Sequence, residues 1–219
     1  MRVYNNPYLK GNPYLEDDTA LEEAKSDIKE NKGEETMKDT EEGINKDKRK
    51  CLISKEVSLL FITQLQHELA NHNLYKTFAS YYNECGLQKL VKYWEGRAAE
   101  EYIHHQWIFN YLNQCNVYFE YPEIPNIKIK FSDKITPFKA TIDREIETTG
   151  GINNIMNQAM KEGDYLTMSF LLGSGTVEGK LIPEQSEEQK LSMDALALAE
   201  EGEDWLAIQD SIYDLYFNK

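Results

Sequence analysis

Glu101 and His104 lie three residues apart in the run Arg97-Ala98-Ala99-Glu100-Glu101-Tyr102-Ile103-His104-His105. On a helix that spacing puts them on one face, one turn apart. Leu90, Trp94, Ile108 and Tyr111 fall on the same stripe at steps of four, three or their sum, which is the seam a helix turns toward its neighbours in a bundle. A carboxylate and an imidazole on such a seam leave water, and a buried charge needs a partner. The chain must therefore bring partner groups from other helices to this point.

Three further helical patterns meet that demand. The first runs from near Ser54 to Cys85, closed by Gly86, with the seam Phe61, Leu65, Glu68, His72, Tyr75, Ala79, Tyr82. The helix carrying Glu101 follows, from Leu87 to about Asn116. Val117 to Thr136 then contains Pro122 and Pro125 and shows no helical period. A helix of ~30 residues is ~45 Å long and ~19 extended residues span ~60 Å, so this stretch can cross the whole bundle and make the second and third helices parallel. Thr136-Pro137 predicts a helix start, with Thr136 as cap and Pro137 in the first turn. That third helix reaches about Glu162 with the seam Phe138, Ile142, Glu145, Thr149, Ile152, Met156, Ala159. Gly163 ends it, and Asp164 caps a fourth carrying Leu181, Gln185, Glu188, Ala195 and Leu198 on one face. A short last helix spans Trp205 to Phe217. The expected class is all-α: a four-helix bundle with a long crossover between the second and third helices and a short fifth helix.

Residues 1–50 differ from the rest. They are rich in Glu, Asp, Lys, Asn and Gly, hold few apolar residues after Leu21, and are expected to form a disordered acidic tail ahead of a folded domain over 51–219. The near-repeat Asn6-Pro7-Tyr8-Leu9-Lys10 and Asn12-Pro13-Tyr14-Leu15-Glu16 reads either as a docking motif for a protein partner, presented twice for avidity, or as a duplicated stretch of solubilising tail. A formal net charge of -14 argues against nucleic acid and anionic membranes as partners, and favours cations. No apolar run is long enough for a bilayer, the start lacks the apolar segment of a signal peptide, and Cys51, Cys85 and Cys115 are odd in number and widely spaced. These features point to reduced thiols in a cytoplasmic protein.

Each of the four long helices thus carries a glutamate in mid-stripe: Glu68, Glu101, Glu145 and Glu188. Isolated, each would hold a proton or destabilise the fold; together they repel unless cations sit between them. Hard oxygen ligands with one imidazole suit iron or manganese.

At these residues the chain resembles the bacterial non-haem ferritins. The segments that carry the likeness are Glu68-Leu69 with Leu74-Tyr75, Ala99-Glu100-Glu101-Tyr102-Ile103-His104, Glu145 with the run through Gly163-Asp164-Tyr165, and Glu184-Gln185-Ser186-Glu187-Glu188. The resemblance implies a di-iron ferroxidase centre (an Fe(II):oxygen oxidoreductase). In it Glu68, Glu101 and His104 bind the first iron, Glu101 bridges to the second, and Glu145 and Glu188 hold that one with Gln185 nearby. It implies a further site toward the cavity from Glu100, Glu184 and Glu187, and a role for Tyr75 beside the centre as an electron donor. It also implies a hollow homo-oligomeric shell of twenty-four subunits that stores iron as a mineral, with the last helix at the four-fold channel.

The chain departs from that family over residues 173–182, where about seven residues are extra. Glu188 consequently lies five residues further from the Gly163-Asp164 turn than Glu145 does. In a straight fourth helix the residue level with Glu145 would be near Leu181, which binds no iron. Three glycines and Pro183 predict instead that the insertion loops out and restores the register. A second reading of the chain follows from this departure: a ferritin-fold shell or scaffold with an impaired centre, storing iron by slow mineralisation or docking partners through its tail. Of the other histidines, His67 and His105 fall off the seams and are expected at the surface. His72 is expected to pack rather than ligate.

Overall fold

The computed structural model describes residues 50–174 and 180–218, so the expectations for the tail and its repeat, and for the middle of the insertion, lie outside the described residues. Six helices form among the described residues: α1 Lys55–Glu84, α2 Gln88–Gln114, α3 Thr136–Glu162, α4 Tyr165–Leu172, α5 Leu181–Glu200 and α6 Trp205–Phe217. None is long and apolar enough to cross a membrane.

Local chemistry sets the ends. The Val57 amide donates to Ser54 Oγ (3.1 Å) and Glu56 lies in the positive first turn of α1. Gly86 follows at φ 75°, a conformation that favours a residue without Cβ. The start of α3 differs from expectation: Thr136 is already helical, and Asp133 performs the capping, accepting from the Ile135 (2.9 Å) and Thr136 (2.8 Å) amides. Asp164 accepts from the Thr167 amide (3.0 Å) to open α4, and Asp204 accepts from Leu206 and Ala207 to open α6.

The fourth expected helix is two helices. Gly173 closes α4 in the left-handed conformation (φ 71°), and α5 starts anew at Leu181. The break restores the register, as the glycines and Pro183 predict. Thr149 Oγ1 of α3 donates to Gln185 Oε1 (2.8 Å), and Gln189 Nε2 donates to Thr149 Oγ1 (2.6 Å). Stacking of Phe170 on Tyr111, centroids 4.1 Å apart, ties α4 to α2.

The crossover spans the bundle from end to end. It starts where the Leu52 amide bonds Cys115 O, and passes Gln66 and His105 at mid-height. It finishes with Phe131 stacked on Tyr81 and the Tyr82 hydroxyl on Lys134 O. Since α1 and α2 form a hairpin, this path starts α3 at the same end as α2 and makes the two parallel. α1 packs on α2 and α3, α5 packs on α3, and α6 lies across α2 and α5.

The apolar core is in two parts. One gathers Phe78, Tyr82, Trp94, Phe138, Ala195 and Ile212. The other gathers Phe61, Leu65, Ile108, Tyr111, Ile155 and Phe170. Between them lies a layer of buried polar side chains, closed off from water above and below.

Candidate metal centre

The buried layer is made by the mid-stripe residues of four helices. Glu68 comes from α1, Glu101 and His104 from α2, Glu145 from α3 and Glu188 from α5; none is more than 5 % exposed. Two interlocking groups result. Ligand atoms of Glu68, Glu101 and His104 lie within 4.8 Å of one another, and so do those of Glu101, Glu145 and Glu188. Glu101 belongs to both, and His104 Nδ1 lies 3.8 Å from Glu188 Oε1, which links the groups a second time.

The first group is short of hydrogen-bond donors. Gln64 Nε2 donates to Glu68 Oε1 (2.7 Å), but Glu68 Oε2 and both Glu101 oxygens meet no amide, hydroxyl or cationic donor among the described residues; the hydrogen bond left to the two acids is the one they make with each other through a shared proton. Burial raises the Glu68 carboxyl to about 7. Burial, with Glu145, Glu188 and Glu68 around it, lifts Glu101 well above the usual carboxylate range. Burial also lowers His104 to about 4, so its imidazole is neutral and has a lone pair to give. Carboxyl oxygens short of donors beside a neutral imidazole, in a dry layer, suit a divalent cation that displaces their protons.

The second group has more donors, which reach every carboxylate oxygen of Glu145 and Glu188 except Glu188 Oε1. Tyr75 Oη donates to Glu145 Oε1 (2.8 Å). Gln185 Nε2 donates to Glu188 Oε2 (2.6 Å) and, at 3.4 Å, to Glu145 Oε2. Arg97, wholly buried, places Nη2 2.6 Å from Glu145 Oε1 and Nη1 3.7 Å from Glu188 Oε1. Burial opposes the Arg97 charge, yet Glu145 and Glu188 hold it firmly protonated. Burial pushes Tyr75 well above the usual phenol range, helped by Glu145, so it stays a phenol.

Arg97 is the functional residue that sequence reasoning missed. The seam was read from Trp94 directly to Glu101, a step of seven; Arg97 sits inside that step, three from Trp94 and four from Glu101. The spacing carried the signal, and a charged residue in the gap was the clue.

Residues assigned to the third site are not gathered. Glu100 accepts from Arg97 Nη1 (3.2 Å), Glu184 pairs with Lys180 (2.8 Å), and Glu187 is exposed. Among the described residues, metal-ligand groups form only at the two positions above. Two other expectations need correction. His105 is buried under the crossover: its Nδ1–H donates to Leu65 O (3.0 Å) and Tyr121 Oη donates to its Nε2 (2.6 Å). His67 is partly buried between Thr148 and Arg144, and desolvation with the Arg144 charge lowers it to about 3. Both were missed because the crossover and α3 cover faces that their own helices leave outside the seam. His72 packs as expected, donating from Nδ1 to Ala98 O (2.7 Å).

A parallel-crossover bundle in which separate helices direct carboxylates and a Glu-x-x-His pair inward is the architecture of carboxylate-bridged dinuclear metal proteins. The chain belongs to the ferritin-like domain family, which it matches over residues 61–178. It is 29% identical over 120 residues to the bacterial non-heme ferritin of Staphylococcus aureus strain USA300, covering 55% of this chain and 72% of that protein. It is 28% identical over the same length and shares to the bacterial non-heme ferritin of Staphylococcus haemolyticus. In fold it is similar to an open-pore ferritin from the archaeon Archaeoglobus fulgidus, with a TM-score of 0.68 at 22% identity, over 78% of this chain and all of that one.

Proposed function

We propose that this chain is an iron-storage subunit that takes up Fe(II) in the buried layer and oxidises it there. The observation that carries this reading is the pair of ligand groups sharing Glu101, with orphaned carboxylate oxygens at the first. Glu68, Glu101 and His104 hold the first Fe(II); Glu101 bridges toward Glu145 and Glu188. Binding displaces the protons that Glu68 and Glu101 otherwise hold, which makes the ligands anionic when the ion arrives. Two Fe(II) give up two electrons, and O2 taking them with two protons leaves as hydrogen peroxide. Carboxylate oxygens favour the Fe(III) product over Fe(II), which drives the electron transfer. Tyr75 keeps Glu145 oriented through its hydrogen bond.

The acidic surface attracts further Fe(II), and the oxidised product mineralises inside a homo-oligomeric shell of the twenty-four-subunit type, the relatives being ferritins.

Anaerobic loading with Fe(II), followed by O2 with absorbance recorded, tests the centre. Wild type is expected to oxidise rapidly and Glu101→Ala at the rate of free iron; equal rates would remove the assigned centre. Electron microscopy shows whether a shell forms. One observation favours a second reading, a shell with an impaired centre: Arg97 lies on the ligands of the second position.

A further inference from the structure

Glu145 and Glu188 are where a second iron would bind, yet the structure already places a cation against them. The Arg97 guanidinium lies 2.6 Å from Glu145 and 3.7 Å from Glu188, with no side-chain surface exposed to solvent. It packs 5.8 Å from the Tyr75 ring centroid, and Tyr75 and Arg97 donate to the same Glu145 oxygen, Oε1. The two donors occupy both lone pairs of Oε1, so an ion bound there would have to displace at least one of them. The first group contains no such cation. Resting on the proposed metal centre, we infer that Arg97 is a built-in counter-ion of the second position. One divalent ion binds tightly at Glu68, Glu101 and His104 with Arg97 in place, and a second binds only by displacing the guanidinium.

Charge balance supports the asymmetry. Arg97 is the one cation in contact with the quartet Glu68, Glu101, Glu145 and Glu188, and it lies at the Glu145 and Glu188 end; Arg144 is felt at Glu68 only from a distance, bonded to Asn71 and His67. A divalent ion at the other end gains unpaired oxygens without losing an ion pair. An ion at Glu145 and Glu188 gains one oxygen without a hydrogen bond, Glu188 Oε1, but competes for Glu145 Oε1 and leaves a buried guanidinium needing another partner, which is costly. The fold provides one destination. Glu100 Oε2 is 3.2 Å from Arg97 Nη1, and its side chain is 36% exposed at the edge of the layer, so a displaced Arg97 can turn outward onto it. The centre therefore loads in order, first position before second, and Arg97 sets the interval between the two affinities.

Anaerobic calorimetry with Co(II), a redox-inert stand-in for Fe(II), reads this directly on the full chain. Wild type is expected to bind one ion per subunit tightly and a second at least about tenfold more weakly. In Arg97→Gln the two affinities converge. Two matched ions in wild type, or an unchanged ratio in the variant, would overturn the inference. Arg97→Gln strips Glu145 and Glu188 of their cation and can fail to fold, so a second measurement uses wild type alone. Crystals holding one equivalent of Co(II) should show anomalous scattering only at Glu68, Glu101 and His104, with Arg97 still on Glu145. A peak at Glu145 and Glu188 with the guanidinium turned away sinks the idea. If no ion is found at Glu68, Glu101 and His104 in either experiment, the metal-centre reading itself has failed. One tight ion in both proteins removes Arg97's role and leaves the centre standing.

Discussion

The two ligand groups are built from the same residue types in the same layer, yet they treat charge in opposite ways. At Glu68, Glu101 and His104, three carboxylate oxygens lack a donor from any other side chain, and burial holds both acids toward their protonated forms. At Glu145 and Glu188, Arg97, Tyr75 and Gln185 meet three of the four oxygens; Glu188 Oε1 is the exception, and burial lifts the Glu188 carboxyl as well. The first group comes from α1 and α2, each one unbroken helix, while the second draws on α5, which begins only after the helix break at Gly173. On the proposed reading, the first group takes its balance from a guest ion and the second carries a cation of its own. It also shows that matching ligand identities do not make matching sites.

The largest test removes the internal cation. Arg97→Ala leaves Glu145 and Glu188 facing each other in a dry layer, and the metal-free protein is expected to lose about 3–5 kcal/mol in chemical denaturation. Added Co(II) should restore more stability to this variant than to wild type, because the vacated position now welcomes an ion. Next in size is the shared ligand. Glu101→Ala should weaken ion binding at both positions by at least about a hundredfold, since removing an outer partner of a ligand already costs about 10–100-fold. Glu68→Ala should harm the first position alone, and calorimetry distinguishes the two outcomes.

Acidity separates the groups further. Burial holds Glu68 at about 7, so its carboxylate is free above that pH and carries a proton below it. The Glu68 proton should lower affinity at the first position by up to about tenfold for each unit below pH 7, on top of the displacement of the Glu101 proton, which burial and the neighbouring acids hold more firmly. His104, lowered to about 4, is neutral throughout that range and adds no competing proton. The smallest effects are steric. A Cβ on Gly151 would come 2.0 Å from Gln64 Oε1, displacing the amide that orients Glu68. Gly151→Ala should therefore weaken only the first position, by a few fold in the same titration. Gly173→Ala puts a side chain at φ 71° and should cost about 1 kcal/mol in thermal denaturation, with its effect on ion binding confined to Glu188.

Most of the layer was legible in the sequence because heptad-like steps fix which residues face inward. Glu68, Glu101, His104, Glu145 and Glu188 all lie on seams, and all meet in the structure. The helix break was legible too, since glycines and Pro183 made a straight helix improbable. Arg97 is harder to read because a long arginine side chain on a seam usually reaches past it to water, and only the carboxylates of other helices hold this one inside. His105 was hidden for a different reason. What buries it is Tyr121, from a stretch with no period at all, and such a segment gives no hint of which side chain it will cover. The grouping of Glu100, Glu184 and Glu187 rested on resemblance alone, and neighbours that no spacing announces, Arg97 and Lys180, engage two of the three.

The division of the apolar core into two halves has a mechanical consequence. An ion seated between them grips α1 and α2, and a second would add α3 and α5, all at mid-length, like a rivet through a sheaf of rods. Loading should thus slow amide exchange most around the waist of the bundle, around Glu68, Glu101, Glu145 and Glu188, while the far ends of the same helices continue to breathe as before.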